Sequence, residues 1–206
     1  MNFFSFSCFP FFVSQSLPFL KSKRIVITGG PGTGKTSVIQ QLEAQGFPCF
    51  HEIIREMTSD AKKDTGTTKE MISNPLVFVE DAYQFNKNLL EGRVQHFQKS
   101  LELSSPVIFF DRGIPDVLAY MDFFNQPYGA DFTSACEQHQ YDKIFMLPPW
   151  EAIYVSDNER LESFEEAIQI HKALEATYQK FGHEPIELPK DTVANRTDFI
   201  VRNLQN

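Results

Sequence analysis

The sequence predicts an α/β protein with a parallel five-stranded sheet covered by helices on both faces. Short apolar or β-branched runs alternate with helical patterns from residue 24 to 204, and the segments between strands are long enough for parallel crossovers. A glycine-rich turn joins the first strand directly to the first helix.

The run RIVIT (24–28) reads as a short buried strand bounded by glycine, followed by a helix from Lys35 to Gln45 that stops at Gly46. FPCFHE (47–52) is the second strand. Residues 53–74 are polar and contain the turn-rich KKDTGTT, which reads as helix fragments and a mobile loop. A long helix spans Pro75 to Leu103, with Pro75 in its first turn and Val79, Tyr83, Asn86 and Leu90 on one face. PVIFFDRG (106–113) is the third strand, a continuous apolar run ending in a carboxylate, and YDKIFMLPP (141–149) is the fourth, ended by two prolines. Asp116 reads as the cap of a helix that starts at Pro115. Residues 150–163 are loop-like, with Trp150 as a loop anchor. The next helix has Ser163 as cap, Glu166 at the capping-box position and Gly182 as stop. EPIELP gives a fifth strand, and 193–204 a final helix.

The 206 residues suit one domain, 23–206, preceded by an irregular aromatic extension, 1–22. That extension holds Phe3, Phe4, Phe6, Phe9, Phe11, Phe12 and Phe19, but no basic residue precedes them and Pro10 and Pro18 interrupt them. It therefore lacks the pattern of an export signal, and it is too short and broken to span a membrane. The net charge of -8 argues against a nucleic-acid partner, which needs a basic footprint. Cys8, Cys49 and Cys136 form no paired spacing, which fits a reducing cytoplasmic setting. The five histidines are scattered without the spacing of a zinc site.

The chemistry begins at GGPGTGKTS (29–37). Gly29, Gly34, Lys35 and Thr36 satisfy G-x-x-x-x-G-K-[ST], placed between a strand and a helix, where the pattern has its physical meaning. Backbone N–H groups of Gly29, Gly30, Pro31, Gly32, Thr33, Gly34 and their successors, proline excepted, would line a phosphate nest, and the helix N-terminus adds partial positive charge. Lys35 would reach the β- and γ-phosphates of ATP, Thr36 would offer a hydroxyl to Mg²⁺, and Ser37 would extend the cradle. Asp111, at the end of the third strand, stands where such folds place a second magnesium-holding group. The fold class sharpens to a three-layer P-loop NTPase fold, which the resemblance described next implies to be nucleoside- or nucleotide-kinase-like.

The segments GGPGTGKTSVIQQLEAQGFPCFHEIIRE, VIFFDRGIPDVLAY and YDKIFMLPPWEAIYVSDNERLESFEEA resemble the AAA-type P-loop ATPase and kinase family related to the nicotinamide-riboside kinase domain of NadR. The resemblance covers roughly 23–204. It implies the architecture of small-molecule kinases, whose third strand ends in a similar D-R-S or E-R-S turn; here the turn is Asp111-Arg112-Gly113. It also implies a lid in the loop 150–163, where Arg160 is the cation that would close on the phosphates. LPKDTVANR (188–196) resembles the stretch that embraces adenine in such kinases.

A switch GTPase fits less well. MLPPW stands where N-K-x-D would read a base, and Asp111 is not followed by the D-x-x-G pattern. Glu52 and Arg55, three apart after the second strand, would share a face over the mouth of the phosphate loop. Glu52 is the candidate base or acceptor-orienting group, and Arg55 and Arg112 are candidates to hold an acidic acceptor. The expected activity is transfer of the γ-phosphate of ATP to a small, nucleoside-like metabolite. The alternative is a nucleotide-binding signalling or trafficking ATPase or GTPase that acts through a protein or membrane partner.

Overall fold

The computed structural model describes residues 22–54, 81–154 and 162–204. Within them, in chain order, lie β1 (Lys23–Gly29), α1 (Lys35–Ala44), β2 (Cys49–Phe50), α2 (Ala82–Ser100), β3 (Val107–Asp111), α3 (Pro115–Phe123), α4 (Ala130–Gln138), β4 (Lys143–Leu147), α5 (Phe164–Lys180), β5 (Ile186–Glu187) and α6 (Val193–Arg202). The expected aromatic extension up to residue 21, the 53–74 loop beyond residue 54, Pro75 and Val79 of the expected long helix, and both Arg55 and Arg160 fall outside the described residues.

The five strands are all parallel, in the order β2-β3-β1-β4-β5, as the crossover lengths predict. Side chains alternate across the sheet because successive Cβ atoms point to opposite faces. Ile25, Ile27, Phe109, Phe145 and Leu147 face one way and bury with α1 and α6. Val26, Ile108, Phe110, Ile144 and Met146 face the other way, against α2, α3, α4 and α5. Both faces are therefore covered, which explains why β1, β3 and β4 read as continuous apolar runs. Each fully buried large apolar side chain contributes about 1.5–3 kcal/mol, so the three central strands form a rigid floor under the loops at their carboxyl ends.

Two strands are shorter than the sequence suggests, because β2 and β5 are edges of two residues each. Pro185 and Pro189 bracket β5 and deny it ladder donors. The face of the long helix also shifts. Asn86 and Leu90 are buried as expected, together with Leu89, Arg93 and Phe97, but Tyr83 is 44 % exposed. Tyr83 lies in the first turn, near the end of the core, where its ring meets that of Phe132 at a tilt, 5.8 Å between centroids.

α5 carries the capping box: the Ser163 hydroxyl accepts from the Glu166 backbone N–H, and the Glu166 carboxylate accepts from the Ser163 backbone N–H. Burial pushes the Cys49 and Cys136 thiols up to about 12, which keeps them protonated at neutral pH. Among the described residues, no helix is long and apolar enough to cross a membrane.

Candidate active site

β1 delivers the chain into a tight turn at the centre of the sheet's carboxyl edge. Gly34 caps α1 in the left-handed region (φ 85°, ψ 21°), a conformation that costs a glycine little. The buried Thr33 donates its hydroxyl to the Gly30 carbonyl at 3.0 Å, closing the turn on itself. Thr36 is half-buried at the start of α1 and Ser37 is exposed. Lys35 folds back over the loop, its Nζ donating to the carbonyls of Gly29 at 2.8 Å and Gly30 at 2.7 Å.

Burial and then Arg112 push the Lys35 ammonium down to about 7, against Asp111, Glu52 and Asp116, which act to raise it. Charged groups at the ends of two strands, β2 and β3, thus act on the lysine that follows β1. A bound polyphosphate would add several negative charges beside Nζ and favour its protonated form. Nucleotide binding at pH 8 is accordingly expected to take up a proton, an uptake that shrinks as the pH falls below about 7 and disappears in Lys35→Ala. Calorimetry in buffers of different ionisation enthalpy measures it.

Tyr154, inside the segment expected to form a lid, and Ala167, in α5 just after it, lie against the phosphate loop. A Cβ on Gly32 would stand 2.6 Å from the Tyr154 ring, and one on Gly30 would stand 3.0 Å from the Ala167 carbonyl. Tyr154 also packs edge-on against Phe164 and donates to the Glu162 carbonyl.

On the other side, towards β2, is a buried charge network. Glu52 lies just beyond β2, where the backbone turns helical at residues 53 and 54. Its Oε1 accepts from Arg93 Nη2 at 3.0 Å and its Oε2 from Arg112 Nε at 2.5 Å. Arg112 spends its other nitrogens on Asp116 Oδ1, at 3.0 Å, and the Tyr120 hydroxyl, at 3.2 Å, with its guanidinium over the Tyr120 ring. Burial pulls its pKa down, and Tyr120, Glu52 and Asp116 more than restore it, so Arg112 stays charged above its usual value. Its backbone is left-handed (φ 73°), which costs a residue with a Cβ on the order of 1 kcal/mol. The side-chain bonds and a backbone bond from Arg112 N to the Ile27 carbonyl, at 3.0 Å, hold it there.

Asp116 does not cap its helix. It sits inside the first turn of α3, fully buried, and accepts from the Thr28 hydroxyl (2.6 Å), the Tyr178 hydroxyl (2.5 Å), the Gly113 backbone N–H (3.0 Å) and Arg112. Burial pushes its carboxyl up, but Arg112, Arg93 and the Thr28 and Tyr178 hydroxyls draw it below the usual carboxylate range. Asp111, 6 % exposed, closes β3 opposite Ile27 of β1.

Arg93, Thr28 and Tyr178 enter this region without having been singled out from sequence, and Arg196 was covered only as the last residue of the 188–196 stretch that resembles an adenine-embracing segment. Arg93 and Arg196 left one visible signal: each is a charged residue on the apolar stripe of a helix, beside Leu89, Leu90 and Phe97 in one case and Ile200 in the other. Arg196 donates to the Thr33 carbonyl at 2.8 Å and the Pro189 carbonyl at 3.2 Å, and its guanidinium lies 4.8 Å from the centre of the Trp150 ring. Trp150 is thus an anchor, as expected, and its partner is α6.

Among curated proteins, no sequence matches this one significantly. The family model described as an AAA domain matches residues 24–196. Among solved structures, thymidylate kinase from Ehrlichia chaffeensis is similar with a TM-score of 0.59 at 14% identity, covering 89% of this chain and 99% of that one. Thymidylate kinase from Candida albicans has a TM-score of 0.60 at 14% identity, covering 89% and 91%. The NadR protein, solved in complex with NR, has a TM-score of 0.64 at 17% identity, and this chain is matched over 90% of its length to 52% of that chain. The family match and the sheet order agree with the phosphate loop at the centre of the structure: the chain belongs to the AAA domain family of P-loop proteins and has the kinase-like fold of NadR and the thymidylate kinases.

Proposed function

We propose that this protein is a Mg²⁺-dependent phosphotransferase that moves the γ-phosphate of ATP to a small metabolite, nucleoside-like in character. The observation that carries the reading is Glu52, a buried carboxylate bridged by both Arg93 and Arg112 at the same carboxyl edge of the sheet as the phosphate loop. A mere nucleotide switch needs the phosphate loop and its metal-holding carboxylate. It does not need a buried, doubly bridged carboxylate facing them from a third strand.

In this reading, the backbone N–H groups of residues 29–34 and the α1 N-terminus hold the phosphates, and Lys35 leaves its two carbonyls for the β- and γ-oxygens. The Thr36 hydroxyl and the Asp111 carboxylate are hard oxygen donors at the same edge, a set that suits Mg²⁺. Bound there, the ion would neutralise charge gathering on the transferring group. Glu52, with both oxygens fixed by guanidinium groups, orients the acceptor hydroxyl towards the γ-phosphorus. Arg112 holds Glu52 in place, and its charge faces the phosphate side. Arg55 and Arg160 complete the reading as cations for the acceptor and for the closed lid.

ADP release by the purified protein with MgATP is expected to rise severalfold or more when a pooled extract of small metabolites is added. Release indifferent to the pool would remove the acceptor from the account and leave an ATPase or a binding protein.

A further inference from the structure

We propose that Arg196 is a positioning residue for nucleotide binding: from the last helix, it sets the orientation of a phosphate-loop amide. The inference rests on the reading that residues 29–37 hold nucleotide phosphates.

Arg196 is 163 residues from Thr33 in sequence and 2 % exposed, and none of its hydrogen bonds described above goes to the acceptor side. Its Nη1 donates to the Thr33 carbonyl at 2.8 Å and its Nε to the Pro189 carbonyl at 3.2 Å, while the Trp150 ring covers its face at 4.8 Å. The peptide joining Thr33 to Gly34 is planar and trans, so its C=O and N–H point in opposite directions. A guanidinium that grips the Thr33 carbonyl on the α6 side therefore turns the Gly34 N–H away from α6, towards the inside of the turn. That N–H belongs to the group of donors a phosphate would use.

The arrangement demands glycine at 34 on two grounds. Its φ is +85°, and a Cβ there would sit 3.3 Å from Arg196 Nη1. The guanidinium occupies the space a side chain would need, so the loop crest and α6 are fitted to one another. The same guanidinium ties down Pro189, in the loop after β5, and packs on Trp150, in the loop after β4. Three separate loops at the carboxyl edge are thereby held by one planar group. Lysine has no such fork: its ammonium is a compact point charge without a plane to lie flat on the indole while directing two fixed N–H groups at separate carbonyls.

Trp150 is the single tryptophan of the chain, which provides a direct optical probe of this contact. The test is a fluorescence titration of the full chain with MgADP and, separately, with inorganic tripolyphosphate, in wild type, Arg196→Lys, Arg196→Met and Lys35→Ala. Wild type is expected to bind both ligands with a change in indole emission. Arg196→Met is expected to weaken both by roughly 10–100-fold, the cost of losing charge-assisted bonds that hold a binding amide. Arg196→Lys, which keeps the positive charge, is expected to weaken them by at least about fivefold while still unfolding cooperatively, and that variant decides the matter if Arg196→Met does not fold. Affinities equal to wild type in a folded Arg196 variant, alongside weakened binding in Lys35→Ala, would overturn the positioning role and leave the phosphate-site reading intact. A wild type that binds neither ligand would overturn both.

Discussion

Lys35→Ala is expected to lower kcat for nucleotide turnover by roughly 10²–10³-fold, the usual loss when a preorganised charge on the reacting group is removed. The fold should not suffer with it. In the nucleotide-free protein the Lys35 ammonium is buried and pushed down to about 7, so its charged form opposes folding. The unfolded chain, with lysine near its ordinary value of 10.5, binds the proton more tightly between about pH 7 and 10.5, and stability from this group rises with pH across that window. Alanine abolishes the rise and leaves the melting temperature at pH 7 equal or higher. Steady-state ADP release and thermal unfolding measured on the same preparation separate the two effects. A mutant within tenfold of wild-type turnover would show that the turn at residues 29–37 is not where the chemistry occurs.

Asp116→Ala should do the reverse, harming the fold first. The mutation removes one of the two carboxylates paired with the buried Arg112 guanidinium and leaves two hydroxyls and the Gly113 N–H without their acceptor. Removing one partner of a buried ion pair typically costs about 3–5 kcal/mol, which for a chain of this size lowers the melting temperature by about 10 °C. Acid should mimic the mutation. The Asp116 carboxyl is held below its ordinary 3.8, so its stabilising contribution is complete above about pH 4 and is lost as the pH falls through the lowered value. A fall in melting temperature of under about 3 °C for Asp116→Ala would mean that the network at the end of β3 carries little of the stability, and that Arg112 keeps its left-handed backbone for another reason.

These two residues also mark what the sequence could and could not disclose. Lys35 was legible because its whole context is local: strand, turn, lysine and helix follow one another within twenty residues, and each step has its own composition. The central strands were legible for a related reason, since a strand buried on both faces must be apolar throughout, as VIFFD and KIFML are. Asp116 was read as a helix cap because one carboxylate beside a proline says nothing of a tyrosine 62 residues on or a threonine 88 residues back. Arg93 reaches Glu52 across 41 residues and Arg196 reaches Thr33 across 163, so their partners were invisible. Their burial was hinted at by charge placed on an apolar stripe. The short edge strands were overread for the opposite reason: FPCFHE and EPIELP have strand-like composition, but at a sheet edge only the residues with a neighbour to bond become ladder.

The central claim is that the phosphate leaves ATP for a second small molecule, and γ-labelled ATP tests it most directly. In the presence of Mg²⁺ and a pooled metabolite extract, the label is expected to appear in a new organic phosphate, at a rate that depends on the pool and collapses in Lys35→Ala. Label released only as inorganic phosphate, at the same rate with or without the pool, would contradict the account and make this a hydrolase or a switch built on a kinase fold.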